Sequence, residues 1–450
     1  MPNQNKHTSA FISLTVLFFM WGFMTVLNDI LIPYLKGVFE LNYFKAMLVQ
    51  FSFFIAYFVG SLIYFIISVS KGDPINKIGY KKGIIIGLLV SAIGAFLFFP
   101  AAQYHVYGFF LSALFVLGLG FTLLQISANP YVAILGPEKS ASARLNLAQG
   151  FNSLGTTIAP AVGGFLIFTF FKNAEGSDAV KIPYLFFAFV FILIAIFIKI
   201  TPLPRFTSEK DNVKGFGALK YKQLIFGMIA IFMYVGGEVS IGSMIISFLN
   251  LPEIAGLKES EASLYVSIYW GGQMIGRFLG AISLSAMKNK LLKYSFMFLV
   301  SVAAFLTIGI LVDFTTASIY AILLSINYIA FIFGKSLANR TLFIFALINI
   351  VLLLIVILNT GQIALWSLIG IGLFNSIMWS NIFTLAIAGL GKYTSQGSSL
   401  LVMMILGGAI LPLIMGYVAD KIGLHISFIV PIFSYLYLSF YGIIGYRPTN

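Results

Sequence analysis

Read for apolar and polar positions, the chain is a series of long uncharged runs separated by short polar stretches. The runs fall at about 11–36, 46–70, 83–104, 106–135, 145–171, 182–200, 223–250, 261–287, 291–312, 316–334, 341–358, 361–388, 396–418 and 425–446. A helix rises 1.5 Å per residue, so about 20 apolar residues cross a hydrocarbon layer about 30 Å thick. The pattern predicts an all-α integral membrane protein with 14 spans. The first run is too long for a removable signal peptide and has no small-residue cleavage site after a short apolar core, so it counts as the first span.

Composition agrees with this reading. The chain is 60% hydrophobic and 9% charged, with mean hydropathy +1.00, too little polar surface to cover a water-soluble globule of this length. The net charge of +13 does not form a basic face on a soluble domain; it lies in the loops, which argues against nucleic acid as a partner. With the N-terminus placed in the cytoplasm, 20 of the 27 Lys and Arg fall in cytoplasmic loops, six outside, and Arg277 within a span. That asymmetry follows the positive-inside rule and places both termini in the cytoplasm. There is no cysteine, the three histidines (His7, His105, His425) are scattered, and no glycine-rich phosphate loop follows a strand. Disulfides, a metal site, a nucleotide-binding fold and a resident cofactor are therefore not expected.

The most polar connector, 201–222, follows the sixth span and separates an N-terminal six-helix bundle (1–200) from a C-terminal bundle (223–450). The halves echo each other. Asn129-Pro130 is followed by Pro160, and Asn381 by Pro412 after a similar interval, each with a glycine pair nearby. A repeat with both halves facing the same way predicts two bundles around a central cavity. Six spans against eight is uneven, and the stretch 288–335, poor in polar residues, reads as an inserted helix pair.

Of the 14 acidic residues, only Asp29 and Glu238 lie well inside spans. An acid at the centre of a membrane helix costs about 2.5–3.5 kcal/mol, so it usually faces an interior and works there. The two acids occupy spans 1 and 7, counterparts in a parallel repeat, at similar depth. Burial disfavours the charged form of a carboxyl, which suits it to take a proton from one side and release it to the other. That is cation-coupling chemistry, not catalysis, and no nucleophile–base pair is present. Span 5 begins RLNLAQGFNS, so Asn146, Gln149 and Asn152 recur every three residues and form a polar stripe with Ser153 and Thr156. Asn28, Gln125, Asn129, Gln273, Asn375 and Asn381 extend the set, and amides offer both the donors and the acceptors that a neutral polyol requires. Amides also join membrane helices to one another, so the set carries more weight than any member. Of the tryptophans, Trp379 is retained as a face for a sugar ring because Asn375 and Asn381 flank it. Asp73 and Lys77, in GDPINKIGYKK (72–82), could latch helix ends, and Arg277 could form a gating contact or extend toward the cytoplasm.

Several stretches together make the sequence similar to the major facilitator superfamily, and within it to the fucose/glucose/galactose symporters. They are LFFMWGFMTVLNDILIPYLK (17–36), KIGYKKG (77–83), QISANPYVAILG (125–136), RLNLAQGFNSLGTTIAP (144–160), FMYVGGEVSIGS (232–243), YWGGQMIGRFLG (269–280), LFNSIMWSNIFTLAIAGLG (373–391) and GGAILPLIMG (407–416). The resemblance implies a two-bundle fold of 12 core helices plus the inserted pair, and sugar uptake driven by a cation gradient through alternating exposure of one central site. It implies a proton-coupling role for the acid of the LND motif, Asp29. A second family acid, in the fourth helix, matches Gln125 here. The family's amides in helix 5 match Gln149 and Asn152, and its aromatic in helix 10 matches Trp379. Glu238 stands where fucose-type members carry glutamine, which favours glucose or galactose.

The expected protein is thus a monomeric transporter of the bacterial inner membrane, importing a hexose with H⁺ or Na⁺. Three other readings are an exporter of amphipathic compounds, since superfamily exporters also have 14 helices; a non-transporting sugar sensor; and an intramembrane enzyme. The polar stripes oppose the first, the short loops leave no output domain for the second, and the missing nucleophile or metal motif opposes the third.

Overall fold

A bilayer offers no water to backbone N–H and C=O groups, so each crossing must satisfy them internally. Among the described residues the chain does so with helices alone. The structure, a computed structural model, describes residues 2–71, 74–135, 141–171, 173, 177–203, 217–284, 287–390 and 394–448. The first six crossings are α1 (Leu14–Val38, continuing a helix that begins at Pro2), α2 (Tyr43–Ile67), α3 (Tyr80–Tyr104), α4 (Tyr107–Asn129), α5 (Ala148–Phe170) and α6 (Asp178–Ile200). The second half contributes α7 (Lys222–Leu249), α8 (Glu259–Ser283), α9 (Lys290–Leu311), α10 (Phe314–Gly334), α11 (Ala338–Leu358), α12 (Gly361–Ile387), α13 (Ser399–Ile422) and α14 (Leu424–Gly445).

Thirteen of these are long and apolar enough to cross a membrane. The exception, α8, has the length, 25 residues, but carries Gln273 and Arg277 among its apolar positions. Several expected spans differ in detail. The run at 361–388 breaks into Gly361–Asn375 and Met378–Ile387. The run ending at 418 continues as helix to Ile422, so Asp420, which the sequence placed beyond the span, lies in its last turn.

The halves share a packing scheme. In the first, α1 packs on α5, α2 on α4, and α3 on both α4 and α6. In the second, α7 packs on α13, α8 on α12, and α11 on both α12 and α14. The helices α9 and α10 pack on each other and on the flank formed by α8, α11 and α12, with no counterpart in the first half. Only 17% of an 18-residue apolar stretch of α9 is buried, against 39–78% of such stretches in the other apolar spans, which marks it as the most peripheral.

The halves meet through α1 with α7, α5 with α8, and α2 with α13. At the face away from the N-terminus, the Asp420 carboxylate accepts from the amides of Tyr43 (2.8 Å) and Phe44 (2.9 Å), tying α13 to the start of α2. Close approach in the second half depends on glycine. A Cβ on Gly276 of α8 would lie 2.2 Å from Ser376 Oγ and 2.7 Å from the Leu373 carbonyl of α12, so only a glycine allows this contact.

Candidate functional site

The sequence around Asp29 loosens its own helix. Pro33, four residues on, has no N–H to bond to the Asp29 carbonyl, so α1 lacks a backbone hydrogen bond at that level. The Asp29 side chain is 3% exposed and faces the seam between the halves. Its Oδ2 accepts from Trp270 Nε1 of α8 at 3.0 Å. Its Oδ1 accepts from Gln50 Nε2 of α2 at 3.0 Å and, more weakly, from Ser243 Oγ of α7 at 3.4 Å. Gln50 Nε2 also donates to Ser243 Oγ at 2.9 Å. Gly242 makes room for this group, since a Cβ there would stand 3.2 Å from the Trp270 ring and 3.4 Å from Asp29 Oδ2. A carboxylate of the first half is thus held by donors from both halves.

Glu238 lies one helix across, in α7. Its Oε1 accepts from Tyr234 OH at 2.5 Å and from Gln273 Nε2. Tyr234 OH also stands 3.1 Å from the Asn375 carbonyl, at the break in α12, so its one proton serves two acceptors. Gln273 Oε1 accepts from Arg277 Nη2 at 3.2 Å, and Arg277 donates from Nη1 to Ser153 Oγ of α5 and from Nε to the Ser376 carbonyl at 3.4 Å. Trp270, Gln273 and Arg277 are three and four residues apart, so one face of α8 touches Asp29, Glu238 and α5 in turn. The adjoining face, with Gly272, Gly276 and Gly280, packs on α10 and α12.

The remaining expected site residues divide between this lattice, packing and open positions. Asn28 is fully buried, and neither atom of its amide has a partner among the described residues. Gln125 hydrogen-bonds the Tyr57 hydroxyl, which also accepts from Trp21 Nε1 at 3.2 Å. Asn129 is half-buried, with no partner for Oδ1 among the described residues, and Gln149 is half-buried. Asn152 Nδ2 donates to the Phe18 carbonyl at 3.1 Å and so joins α5 to α1.

Asn375 is enclosed: Oδ1 accepts from Asn349 Nδ2 (2.9 Å) and Tyr435 OH (2.8 Å), while Nδ2 donates to Tyr269 OH (3.0 Å). It ties α8, α11, α12 and α14 together. Asn381 donates to the Ala338 carbonyl at 3.1 Å. Trp379 stacks on Phe383 with ring centroids 5.0 Å apart. Asp73 and the side chains of Lys77, Arg144 and Asn146 lie outside the described residues.

Sequence reading missed Gln50, Ser243 and Tyr234 and set Trp270 aside. The spacing of Trp270, Gln273 and Arg277 beside a glycine face was the available signal for one of them. Gln50 was equally visible, as a lone amide in an apolar run.

Residues 10–339 match the Major Facilitator Superfamily, and the chain belongs to it. Within it, the chain is 45% identical to the glucose/galactose transporter of Brucella abortus (strain 9-941), over 98% of this chain and 95% of that one. It is 31% identical to the L-fucose-proton symporter of Escherichia coli (strain K12), over 92% and 87%. Among solved structures, FucP in the outward conformation superimposes with a TM-score of 0.65 at 28% identity, covering 98% of this chain and 99% of that one. These relatives bear the names of transporters and symporters, not of enzymes.

Proposed function

We propose that this protein imports a hexose, glucose or galactose, together with a cation, by alternating exposure of a site between its two halves. The observation that carries this reading is the buried Asp29 carboxylate, held at once by α2, α7 and α8. Any change in its charge acts on the seam that must open and close. The similarity to a glucose/galactose transporter over nearly the whole chain supports the substrate class, and the similarity to an L-fucose-proton symporter supports H⁺ over Na⁺. Asp29 takes the cation. Glu238, on the counterpart helix, is the second coupling acid or the one that orients the sugar, and Asn28, Gln125, Asn129 and Gln149 are the amides placed for hydroxyls. Arg277, bonded to Ser153 across the halves, is the gating contact.

The domain division follows the same reading: 1–200 and 223–450 are the rocking halves, 201–222 joins them, and 288–335 is the inserted pair on the flank of the second. The protein would act as a monomer in a bacterial inner membrane with both termini cytoplasmic, as the basic loops favour. It needs no cofactor beyond the coupling ion. One charge moved across 100 mV supplies about 2.3 kcal/mol, which sustains roughly fifty-fold accumulation. Uptake of labelled hexoses into proteoliposomes under separately imposed H⁺ and Na⁺ gradients tests the proposal. Concentrative uptake of glucose or galactose with the H⁺ gradient is expected. Uptake with Na⁺ alone would replace the ion, and no uptake of any hexose under either gradient would refute symport.

A further inference from the structure

The partners of Asp29 are suited to only one of its two protonation states. Trp270 offers a donor and no acceptor, and the Gln50 amide nitrogen and the Ser243 hydroxyl both point hydrogens toward the carboxylate. A protonated Asp29 would bring its own O–H into this ring of donors and need an acceptor. Among the described residues, the acceptor beside Asp29 that has no hydrogen-bond partner is Gln50 Oε1, on a side chain 2% exposed; Ser243 Oγ, the other oxygen in reach, stands 3.4 Å from Oδ1 and already accepts from Gln50 Nε2. Gln50 Oε1 belongs to the same amide whose nitrogen holds the charged form.

We propose that Gln50 is the positioning residue that reads the charge of Asp29, its amide turning over when the proton arrives. With Asp29 ionised, Gln50 Nε2 donates to Oδ1 and to Ser243, and the seam between α1, α2, α7 and α8 is held. When a proton from solution bonds to the carboxylate, the Nε2–H···Oδ1 bond breaks and the new Asp29 O–H donates to Gln50 Oε1. The same turn withdraws the donor from Ser243, and Trp270 Nε1 is left facing a neutral acceptor, a weaker bond than one to a charge. Three contacts around Asp29, two of them across the seam, thus change with one proton. Among the described residues, Glu238 of α7 and Tyr269 of α8 act electrostatically on Asp29, and Tyr234 of α7 and Arg277 of α8 act on Glu238; of the other elements packed on α1, α2 carries Tyr57 and α6 carries Tyr184, while the spans of α4 and α5 carry no carboxylate or cation. The inference rests on the symport reading for its purpose, but the Asp29–Gln50 exchange can be measured without any sugar.

Infrared difference spectra of the purified full-length protein between low and high pH test it. The band of the protonated Asp29 carboxyl, identified by its loss in Asp29→Asn, is expected to shift in Gln50→Met. In unsubstituted protein carrying isotope-labelled glutamine amides, one glutamine C=O band is expected to move with the same pH dependence. In vesicles, Gln50→Met is expected to lower gradient-driven hexose accumulation about ten-fold more than it lowers exchange without a gradient, the size of one charge-assisted hydrogen bond. An Asp29 band unchanged by Gln50→Met, a labelled glutamine band that ignores pH, or an equal fall of accumulation and exchange would each overturn the proposal. If the protein carried no hexose while both bands moved, the symport reading would fail and the Gln50 exchange would stand.

Discussion

Asp29 and Glu238 occupy counterpart helices and are both buried carboxyls, yet they are held differently. Asp29, of the first half, accepts from Trp270 and Ser243 of the second as well as from Gln50 of its own. Glu238 accepts from Tyr234 and Gln273, both from its own half. On the proposed reading, one acid therefore bridges directly the surface that separates in alternating access, and the other takes its own bonds from one half and reaches the first half through Gln273 and Arg277, which donates to Ser153. On the same reading, charge-dependent opening falls to Asp29, and orienting a ligand falls to Glu238.

The most severe way to break this comparison is Asp29→Asn. It keeps the shape but makes the group permanently neutral, and it is expected to remove the whole of the roughly fifty-fold gradient-driven accumulation. Trp270→Phe keeps Asp29 and removes the donor that reaches it from the other half; a bond to a charged group contributes about 1.5–3 kcal/mol, so accumulation should fall about ten-fold or more. Measured in the same vesicles, an unchanged accumulation ratio would show that the contact plays no part in coupling. Glu238→Gln is expected to act on KM, raising it about ten-fold through the loss of one charge-assisted contact, while the accumulation ratio falls far less. A collapse of the ratio at constant KM would make Glu238 the coupling acid and reverse the comparison.

The smallest effect is expected away from the seam, at the α9–α10 turn. Asp313 caps α10, accepting from the Thr316 amide (2.8 Å) and hydroxyl (2.7 Å), and these bonds hold its carboxyl below the usual carboxylate range. A lowered value means that the cap contributes fully above the ordinary carboxylate range and is lost as pH falls through the lowered value. Asp313→Ala should lower the melting temperature slightly at neutral pH, less so in strong acid, and leave transport unchanged. A transport defect would show that the hairpin takes part in the motion.

The helices were legible because lipid demands long apolar runs with few exceptions, so each of the 14 runs in the sequence is a helical crossing among the described residues, the one at 361–388 broken in two. Their fine ends were not, because charges such as Asp420 can stand in a final helical turn at the interface when a neighbouring helix supplies amides for them. The acids were legible by isolation: two carboxyls in a sea of Leu, Ile and Phe leave little choice. Their partners were not, because Gln50, Ser243 and Trp270 are single residues on three different helices, and only packing brings them to one carboxylate. The amides are the reverse case. Asn375 and Asn152 fit a sugar-binding stripe by residue type, yet their amides bond neighbouring helices, an ambiguity that residue type cannot remove.

The most direct test of the account is to measure gradient-driven accumulation and gradient-free hexose exchange side by side for Asp29→Asn in proteoliposomes. The account predicts exchange that continues at a reduced rate while accumulation disappears at every imposed H⁺ gradient. Loss of exchange together with accumulation would make Asp29 part of the sugar site, and retained accumulation would contradict its role as the coupling acid.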